Sequence, residues 1–208
     1  VTSSSGGYFG GGIYRVFNYA GTLTDNGLAL GSMPAGSDVT VQTSVAGQVN
    51  LINSDGLALS FWDGSFGPKF DDVVSGGNGS WHLGGVENNW TGADGAINAA
   101  YADGTFAIFA GAPGTVAVDN GGGAVTTTGM QFATDGYLVN GAPLTLVGPE
   151  SIIRVGDGTV AGAGYTATVT ANLAGASQLV KTDGGTLVLV GANSYTGGTR
   201  VEGGTLRV

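Results

Sequence analysis

The feature that most constrains this chain is a pattern of glycine pairs between very short strand-like runs. It is clearest at residues 179–208, LVKTDGGTLVLVGANSYTGGTRVEGGTLRV. Three pairs each precede a run rich in Thr, Val or Leu: Gly184-Gly185, Gly197-Gly198 and Gly203-Gly204. Glycine adopts positive φ angles without a steric penalty, so it suits the corners between such runs. The pattern therefore predicts short strands joined by tight turns.

Composition extends this prediction to the whole chain. Hydrophobic residues make up 42% of the sequence and charged residues only 10%, whereas disordered chains are poor in apolar residues and rich in net charge. Apolar residues alternate or form short runs, and helical periodicity is nearly absent. The fold class predicted is all-β. The predicted strands are 12–19, 37–45, 48–53, 57–62, 105–111, 114–119, 124–133, 137–140, 144–148, 151–156, 165–173, 179–182, 186–191, 199–201 and 205–208.

Loose internal repeats indicate how these strands are arranged. The sequence GLAL at 27–30 returns at 56–59, and TDG at 134–136 returns at 182–184. The offsets differ, so there is no fixed period. Loose repetition of a short strand and a glycine-rich turn predicts a parallel β-helix, in which coils of about 20–29 residues stack on one another.

An antiparallel sandwich or barrel is the alternative. That architecture favours hairpin dipeptides such as Asn-Gly between alternating strands. Asn26-Gly27 and Asn140-Gly141 fit that description, but most other junctions carry Gly-Gly or Asp-Gly, and the runs are short for a sandwich. The sequence favours the solenoid.

The chain divides into three predicted regions. Residues 1–61 are expected to form β-helix coils, and residues 102–208 are expected to form further coils ending in the stretch 179–208. Residues 62–101 are expected to be an irregular, aromatic-rich excursion, because they hold all three tryptophans and few strand-like runs. The start of the sequence has neither the basic nor the apolar region of a signal peptide, and we expect the chain to be part of something longer at both ends.

Charge and cysteine content exclude several functions. Six Lys and Arg stand against 15 Asp and Glu, a net charge of −9, so the chain lacks the basic patch that binds phosphates. We therefore expect no nucleic-acid partner and no anionic membrane surface. The absence of cysteine excludes disulfides, thiolate metal sites and thiol nucleophiles.

Catalytic residues are not predicted. His82 is the single histidine, and a Ser-His-Asp set with Ser80 and Asp71 or Asp72 can be assembled only on paper, because triad geometry comes from the fold. No Gly-x-Ser-x-Gly elbow is present. Polysaccharide cleavage needs a carboxylate pair or a comparable acid–base set, and the arginines have no acidic pairs beside them. The sequence predicts a non-enzymatic protein.

Metals and cofactors are not predicted either. Residues 76–81, GGNGSW, begin like a calcium-binding nonapeptide, but Trp81 stands where a ligand Asp is needed. The several Asp-Gly pairs are typical of turns. Ca²⁺ needs six to eight oxygen ligands, and no cluster supplies them.

Three tryptophans are the candidate ligand contacts: Trp62, Trp81 and Trp90. Exposed aromatic rings make good anchors for a partner, but a local core that closes the irregular segment is the favoured interpretation. We expect at least Trp62 to be buried, because it ends an alternating run. Trp90, beside two asparagines, is expected to be the exposed ring.

The terminal stretch resembles the passenger-associated transport repeat of autotransporters. The motifs that carry the resemblance are LVKT (179–182), GGTLVL (184–189), GANSYTGGT (191–199) and GGTLRV (203–208). Residues 88–111 and 129–148 are similar to segments that precede this repeat in large autotransporters. The resemblance implies a right-handed parallel β-helix passenger. Such a passenger is exported through the periplasm and the outer membrane to the bacterial cell surface, or secreted, by a translocator barrel of the same parent chain.

This resemblance implies two alternative functions. The first is a stem portion that supports export, folding and surface display of the passenger. The second is an adhesin or self-association module that binds a host or neighbouring-cell surface through residues 62–101.

Overall fold

The structure, a computed structural model, describes residues 9–85 and 87–208, and these residues are almost entirely β-structure and loops. The helical element found there is one 3-10 turn, Ala161–Gly164. The all-β prediction is confirmed. The strands are β1 Gly12–Asn18, β2 Val39–Gln42, β3 Gln48–Asn53, β4 Leu59–Trp62, β5 Gly79–Trp81, β6 Trp90–Thr91, β7 Asn98–Ala99, β8 Phe106–Phe109, β9 Thr115–Val118, β10 Thr126–Thr127, β11 Gly129–Phe132, β12 Leu138–Gly141, β13 Leu144–Leu146, β14 Glu150–Val155, β15 Thr166–Val169, β16 Leu173–Gly175, β17 Gln178–Thr182, β18 Thr186–Leu189, β19 Thr199–Val201 and β20 Thr205–Arg207.

Three largely parallel sheets make up the main body. Their strand orders are β19-β17-β14-β11-β8-β4-β6-β7, β20-β18-β15-β12-β9-β5 and β10-β13-β16. From β8 to β17 the chain passes three times from the eight-stranded sheet to the six-stranded sheet, then to the three-stranded sheet, and back to the first; after β18 it returns directly to the first sheet at β19. We call each such passage a rung, so the first rung begins at β8 and the fifth at β19. This repeated order is consistent with a parallel β-helix.

Successive rungs are in register. Phe106 pairs with Gly129, which pairs with Ile152, so two neighbouring rungs are each 23 residues long. Later in the chain Val180 pairs with Arg200, a rung of 20 residues. In parallel sheets such register places equivalent side chains above one another, so one rung provides the packing surface for the next.

The space between the three sheets holds a continuous apolar column. Phe109 and Phe132, paired in register, stack with ring centroids 5.0 Å apart and planes 11° from parallel. The other buried members from the rungs include Val116, Val139, Val155, Leu144, Leu146, Val169, Leu173, Leu179, Leu187 and Leu189. Contributions from every sheet show that the column is one core.

The pair Gly197-Gly198 combines a close approach with a left-handed corner. A Cβ at Gly197 would collide with the backbone of Ser177 and Gln178, whereas Gly198 has φ near 79° and open space beside it. Positive φ is unfavourable for residues with a Cβ, so the two glycines answer different requirements of the same turn.

Residues 12–53 differ from the prediction of β-helix coils over 1–61. Here β1, β3 and β2 form an antiparallel sheet. The prediction is wrong for this region because β2 and β3 are joined by the short loop 43–47, which ends in Gly47 with φ near 75°. Parallel strands need a much longer connection, so this pair can only be antiparallel. Residues 1–8 lie outside the described residues.

This antiparallel sheet, the N-terminal layer, covers the outer face of the eight-stranded sheet. Ile13, Val45 and Ile52 pack there with buried side chains that include Phe61 and Ile108. The contact is a second core, separate from the column. The fold is therefore a stack of rungs with one additional sheet packed on its side.

Residues 62–101 contain three strands of two or three residues connected by long loops, and Val86 within them lies outside the described residues. β5 pairs in parallel with β9, whereas β6 pairs antiparallel with β4 and with β7. Through these pairings the segment adds strands to both larger sheets ahead of the first rung.

Candidate functional site

The stretch 179–208 builds the last two rungs. β17 pairs in parallel with β14 of the rung before and with β19 of the rung after. β18 is related in the same way to β15 and β20. Leu179, Leu187 and Leu189 extend the apolar column into this stretch. The stretch is therefore a continuation of the upstream sheets.

Lys181 is fully buried inside these last rungs. It pairs in register with Ile153, a member of the apolar column. Its Nζ donates to the carbonyl oxygens of Thr182, Asp183 and Gly203 at 2.6, 2.9 and 3.1 Å. Burial lowers the pKa of Lys181 to about 8, and the Asp183 carboxylate opposes that shift. The ammonium is thus charged at neutral pH, with all three N–H groups bonded across the corner between the fourth and fifth rungs.

A polar junction holds the N-terminal layer to the rungs. Gln131 behaves as an extra peptide unit for the edge strand β1: its Oε1 accepts from the Ile13 N–H at 2.7 Å, and its Nε2 donates to the Ile13 carbonyl at 2.9 Å. The same Nε2 lies 2.9 Å from the Gly156 carbonyl. These bonds satisfy backbone groups that an edge strand otherwise leaves unpaired.

Arg154 belongs to the same junction and is fully buried. Its Nη1 donates to the Gly11 carbonyl at 2.7 Å, and its Nε lies 3.0 Å from Asp183 Oδ2. The guanidinium carbon is 4.3 Å from the centre of the Tyr14 ring. Arg154 therefore connects the N-terminal layer, the third rung and the fourth rung at one point.

Asp157 completes the junction. Its Oδ2 lies 2.7 Å from Arg15 Nη2 and accepts from the Tyr165 hydroxyl at 3.0 Å. Burial raises the pKa of Tyr165, and the neighbouring Asp157 carboxylate acts in the same direction. Sequence reasoning missed this junction. The sequence feature that could have indicated it is a polar residue within an apolar strand-like run: Gln131 in GMQF and Arg154 in SIIRV.

The three candidate ligand contacts form a buried aromatic cluster. Trp90 lies between Trp62 and Trp81, with ring centroids 5.1 and 5.0 Å away. Phe109 and Tyr101 pack against the cluster, and burial raises the pKa of Tyr101 to about 12. Trp90 is 3% exposed, so its expected position at the surface is wrong. In this arrangement the rings extend the apolar column and are not accessible to a partner at the surface.

The other residues considered for chemistry do not meet as a catalytic set. His82 Nδ1 lies 3.4 Å from Ser80 Oγ, which is long for a hydrogen bond. Asp71 accepts from the Val73 N–H as in a local turn, and Asp72 has φ near 62°. Within residues 9–85 and 87–208 no group of three or more His, Asp or Glu side chains is placed to hold a metal ion. In the same residues no helix is long and apolar enough to cross a membrane.

Exposed apolar side chains mark the surface of residues 62–101. Phe66 and Ile97 are each 72% exposed and Phe70 is 58% exposed. The Phe70 N–H donates to Asn98 Oδ1, so Phe70 lies close to the backbone next to Ile97. The sequence made the tryptophans candidate ligand contacts, with a local core as the favoured interpretation; the structure buries all three and exposes Phe66, Phe70 and Ile97.

The glycine-paired stretch that forms the last two rungs matches a known protein family, and the chain as a whole has a similar protein. Residues 179–208 match the family model of the passenger-associated-transport-repeat. Over all 208 residues the chain is 58% identical to the adhesin BmaC autotransporter of Brucella suis biovar 1 (strain 1330). The chain spans 6% of that relative's length. No solved structure matches the chain.

These comparisons confirm the resemblance to an autotransporter passenger carrying the transport repeat. The localisation predicted from it, at the bacterial cell surface or secreted through the outer membrane, is confirmed with it. The similar protein is named an adhesin.

Proposed function

We propose that this chain is a stem portion of an autotransporter passenger, a right-handed parallel β-helix that supports export, folding and surface display. The observation that carries the proposal is the continuity of the last two rungs with the upstream sheets. β17 and β18 each pair in parallel on both sides. A folded rung therefore offers both the strand edge and the apolar surface on which its neighbour forms.

The proposed mechanism is physical. Each rung contacts mainly its neighbours, so folding can begin at one end and propagate along the stack. Folding outside the cell withdraws chain from the pore as each rung forms, and the buried column makes backward movement unfavourable. A chain without cysteine crosses the periplasm without the disulfides that form in that oxidising space. The proposed partner is the outer-membrane translocator barrel of the same parent chain.

Surface display tests this proposal. The chain is joined ahead of a translocator barrel in a Gram-negative host, and the protease-resistant, antibody-accessible passenger on intact cells is quantified. Leu187→Asp places a charge in the apolar column, so we expect display of the folded passenger to fall several-fold. Val188→Asp is the matched control, because Val188 is the partly exposed residue between two buried leucines.

Equal display of the two variants would contradict the stem proposal. If the Leu187→Asp passenger is found only as degradation products or in the periplasm, the result would support the proposal. The chain is then made but does not fold and stay outside the cell.

Adhesion through residues 62–101 is the second candidate function. The relative that matches the chain is named an adhesin, and Phe66, Phe70 and Ile97 give this segment an exposed apolar surface. Aromatic residues, Phe among them, are enriched in the buried cores of protein interfaces. The proposed partner is a host or neighbouring-cell surface, contacted by these residues and not by the buried tryptophans.

Attachment of displaying cells separates the two candidates. We expect the double variant Phe66→Ser, Phe70→Ser to keep display and to lose attachment if the segment binds a partner. Val160→Ser is the control, because Val160 is 96% exposed and lies outside the segment. Unchanged attachment of the double variant would leave the stem as the function of this chain.

A further inference from the structure

A buried carboxylate close to the aromatic cluster has contacts that neither proposed function uses. Asp63 follows β4 directly and is fully buried. Its Oδ1 accepts from the Ser75 N–H at 2.8 Å. Its Oδ2 accepts from Asn98 Nδ2 at 2.6 Å and lies 3.8 Å from Lys69 Nζ. An amine and a carboxamide therefore flank one buried carboxylate oxygen.

The Asn98 carboxamide is held at both ends. Its side chain is on β7 and is 4% exposed. Its Oδ1 accepts from the Phe70 N–H at 2.7 Å, and its Nδ2 is the group bonded to Asp63. Phe70 has φ near 59°, a conformation unusual for an aromatic residue. A backbone N–H fixed on a carbonyl oxygen is the arrangement that stabilises negative charge during attack on that carbonyl.

Lys69 can supply the nucleophile. Its amine is partly exposed and donates to the Gly64 carbonyl at 2.7 Å. Burial lowers the pKa of Lys69, although the Asp63 and Asp71 carboxylates oppose the shift. A lower pKa increases the fraction of neutral amine, which is the reactive form. Lys69 Nζ and Asn98 Nδ2 lie 3.8 and 2.6 Å from the same oxygen, Asp63 Oδ2, so the amine and the carboxamide are close neighbours.

We propose that Lys69, Asn98 and Asp63 form a self-cross-linking site that joins Lys69 to Asn98 through an isopeptide bond. Nζ of the neutral amine attacks Asn98 Cγ, with the Phe70 N–H stabilising the charge that develops on Oδ1. Asp63 accepts a proton from the attacking nitrogen and returns it to Nδ2. The bond between Cγ and Nδ2 breaks and one ammonia leaves. An amine and a carboxamide become a secondary amide and ammonia, with no oxidant or other reactant.

The cross-link ties the loop after β4 to β7. This chain has no cysteine, so a disulfide cannot perform that role. The reaction requires the buried carboxylate and the fixed carboxamide, which are brought together by folding, so an unfolded chain in transit stays unlinked. Closing a loop covalently stabilises a fold mainly by restricting the unfolded state. The exposed side chains Phe66 and Phe70 lie on the loop that this cross-link restrains.

Intact-mass spectrometry of the purified wild-type protein tests the proposal. We expect a mass lower than the sequence mass by one ammonia, and a branched peptide joining Lys69 to Asn98 after proteolysis. Amine labelling of the denatured protein gives an internal control, because Lys181 is the other lysine of the sequence. Lys181 should label fully and Lys69 should not label.

Lys69→Arg keeps the positive charge without the amine nucleophile, and Asp63→Asn removes the proton acceptor. Each is expected to show its full sequence mass. A wild-type protein that keeps its full sequence mass and labels at both lysines after prolonged incubation in the folded state would overturn the proposal. So would an ammonia loss that persists in Lys69→Arg, since that loss would come from another site.

Discussion

At the scale of single residues, buried polar side chains decide how the rungs are joined to each other and to the N-terminal layer. Lys181, Gln131 and Arg154 are each fully buried. Burial of such groups is costly unless hydrogen bonds replace those lost to water. Each of them donates to at least one backbone carbonyl of a different element: Gly203, Ile13 and Gly11, respectively. These residues therefore connect elements that apolar packing alone would leave free to slide.

Replacing Lys181 tests this role most simply. Lys181→Met keeps much of the side-chain volume but leaves one buried and two partly buried carbonyls without their donor. We expect the free energy of unfolding to fall by about 2–4 kcal/mol, measured by chemical denaturation. Arg200→Met is the matched control in the same repeat, because Arg200 forms exposed ion pairs with Glu150 and Glu202. We expect Arg200→Met to lower the free energy of unfolding by about 0–1 kcal/mol. A loss equal to that of Lys181→Met would contradict the role of Lys181 in joining the rungs.

The same lysine predicts a pH dependence. Its pKa is lowered from 10.5 to about 8 on folding, first because of burial. Between these values the unfolded chain binds more protons than the folded chain, so the Lys181 contribution makes the protein more stable as pH rises from about 8 toward 10. Because Met does not titrate, the stability difference between wild type and Lys181→Met, measured by thermal unfolding across this window, should widen as pH rises. A difference between the two proteins that narrows with pH would have the wrong sign.

At the scale of single elements, β18 shows how alternation builds the column. Leu187 and Leu189 are buried and Val188, between them, is partly exposed. Side chains two residues apart lie on the same face of a strand. Leu187→Ala and Leu189→Ala should therefore each lower stability by about 2–5 kcal/mol, whereas Val188→Ala should cost less than about 1 kcal/mol. Both chemical denaturation and hydrogen exchange of β18 measure these costs. An equal loss of exchange protection in all three variants would indicate a strand buried on both faces.

The edge strand β1 allows a second test at this scale. Gln131→Ala removes the side chain that bonds both backbone groups of Ile13. We expect faster hydrogen exchange at Ile13 and its neighbours in β1, with little change in the fourth and fifth rungs. Gln178→Ala is the control, because Gln178 lies on the same sheet and bonds the exposed Arg200. Unchanged exchange in β1 would show that apolar packing alone holds the N-terminal layer.

The parallel elements could be predicted from sequence because their signal is local. Short Thr, Val and Leu runs with glycine corners mark β17 and β18, and most of the predicted strands from 105 onward contain an observed strand. One predicted run, 124–133, divides at Thr128 into β10 and β11. Such a corner has no strong local signal.

The non-local features were not predictable in the same way. The antiparallel N-terminal layer depends on which surface β1 covers, and Gln131 lies 118 residues from its partner Ile13. The tryptophans were expected in part at the surface because polar residues surround Trp90 in sequence, but pairing of β6 with β4 turns its ring toward the column. Such outcomes depend on tertiary packing, which overrides local composition.

At the scale of the whole molecule, rungs of different length keep one register. Rungs of 23 residues precede a rung of 28, in which Ile152 pairs with Val180. The additional residues lie in loops such as the one that contains the 3-10 turn Ala161–Gly164. Variable loops on a constant column let a stem carry surface features without disturbing its stacking. The N-terminal layer and the exposed side chains Phe66, Phe70 and Ile97 are features of this kind.

The in-register stack is the central claim, and spin-label distances test it most directly because the chain has no native cysteine. Residues that pair in succession along the six-stranded sheet are Thr115, Leu138, Thr168, Val188 and Arg207. With strands about 4.8 Å apart, backbone separations should be about 14 Å for labels at 115 and 188 and about 19 Å for labels at 115 and 207.

We therefore expect two narrow double electron–electron resonance distributions that differ by one strand spacing, with circular dichroism showing that both labelled proteins are folded. If the distance from the label at 115 does not increase by about one strand spacing when the second label moves from 188 to 207, the folded protein is not an in-register stack.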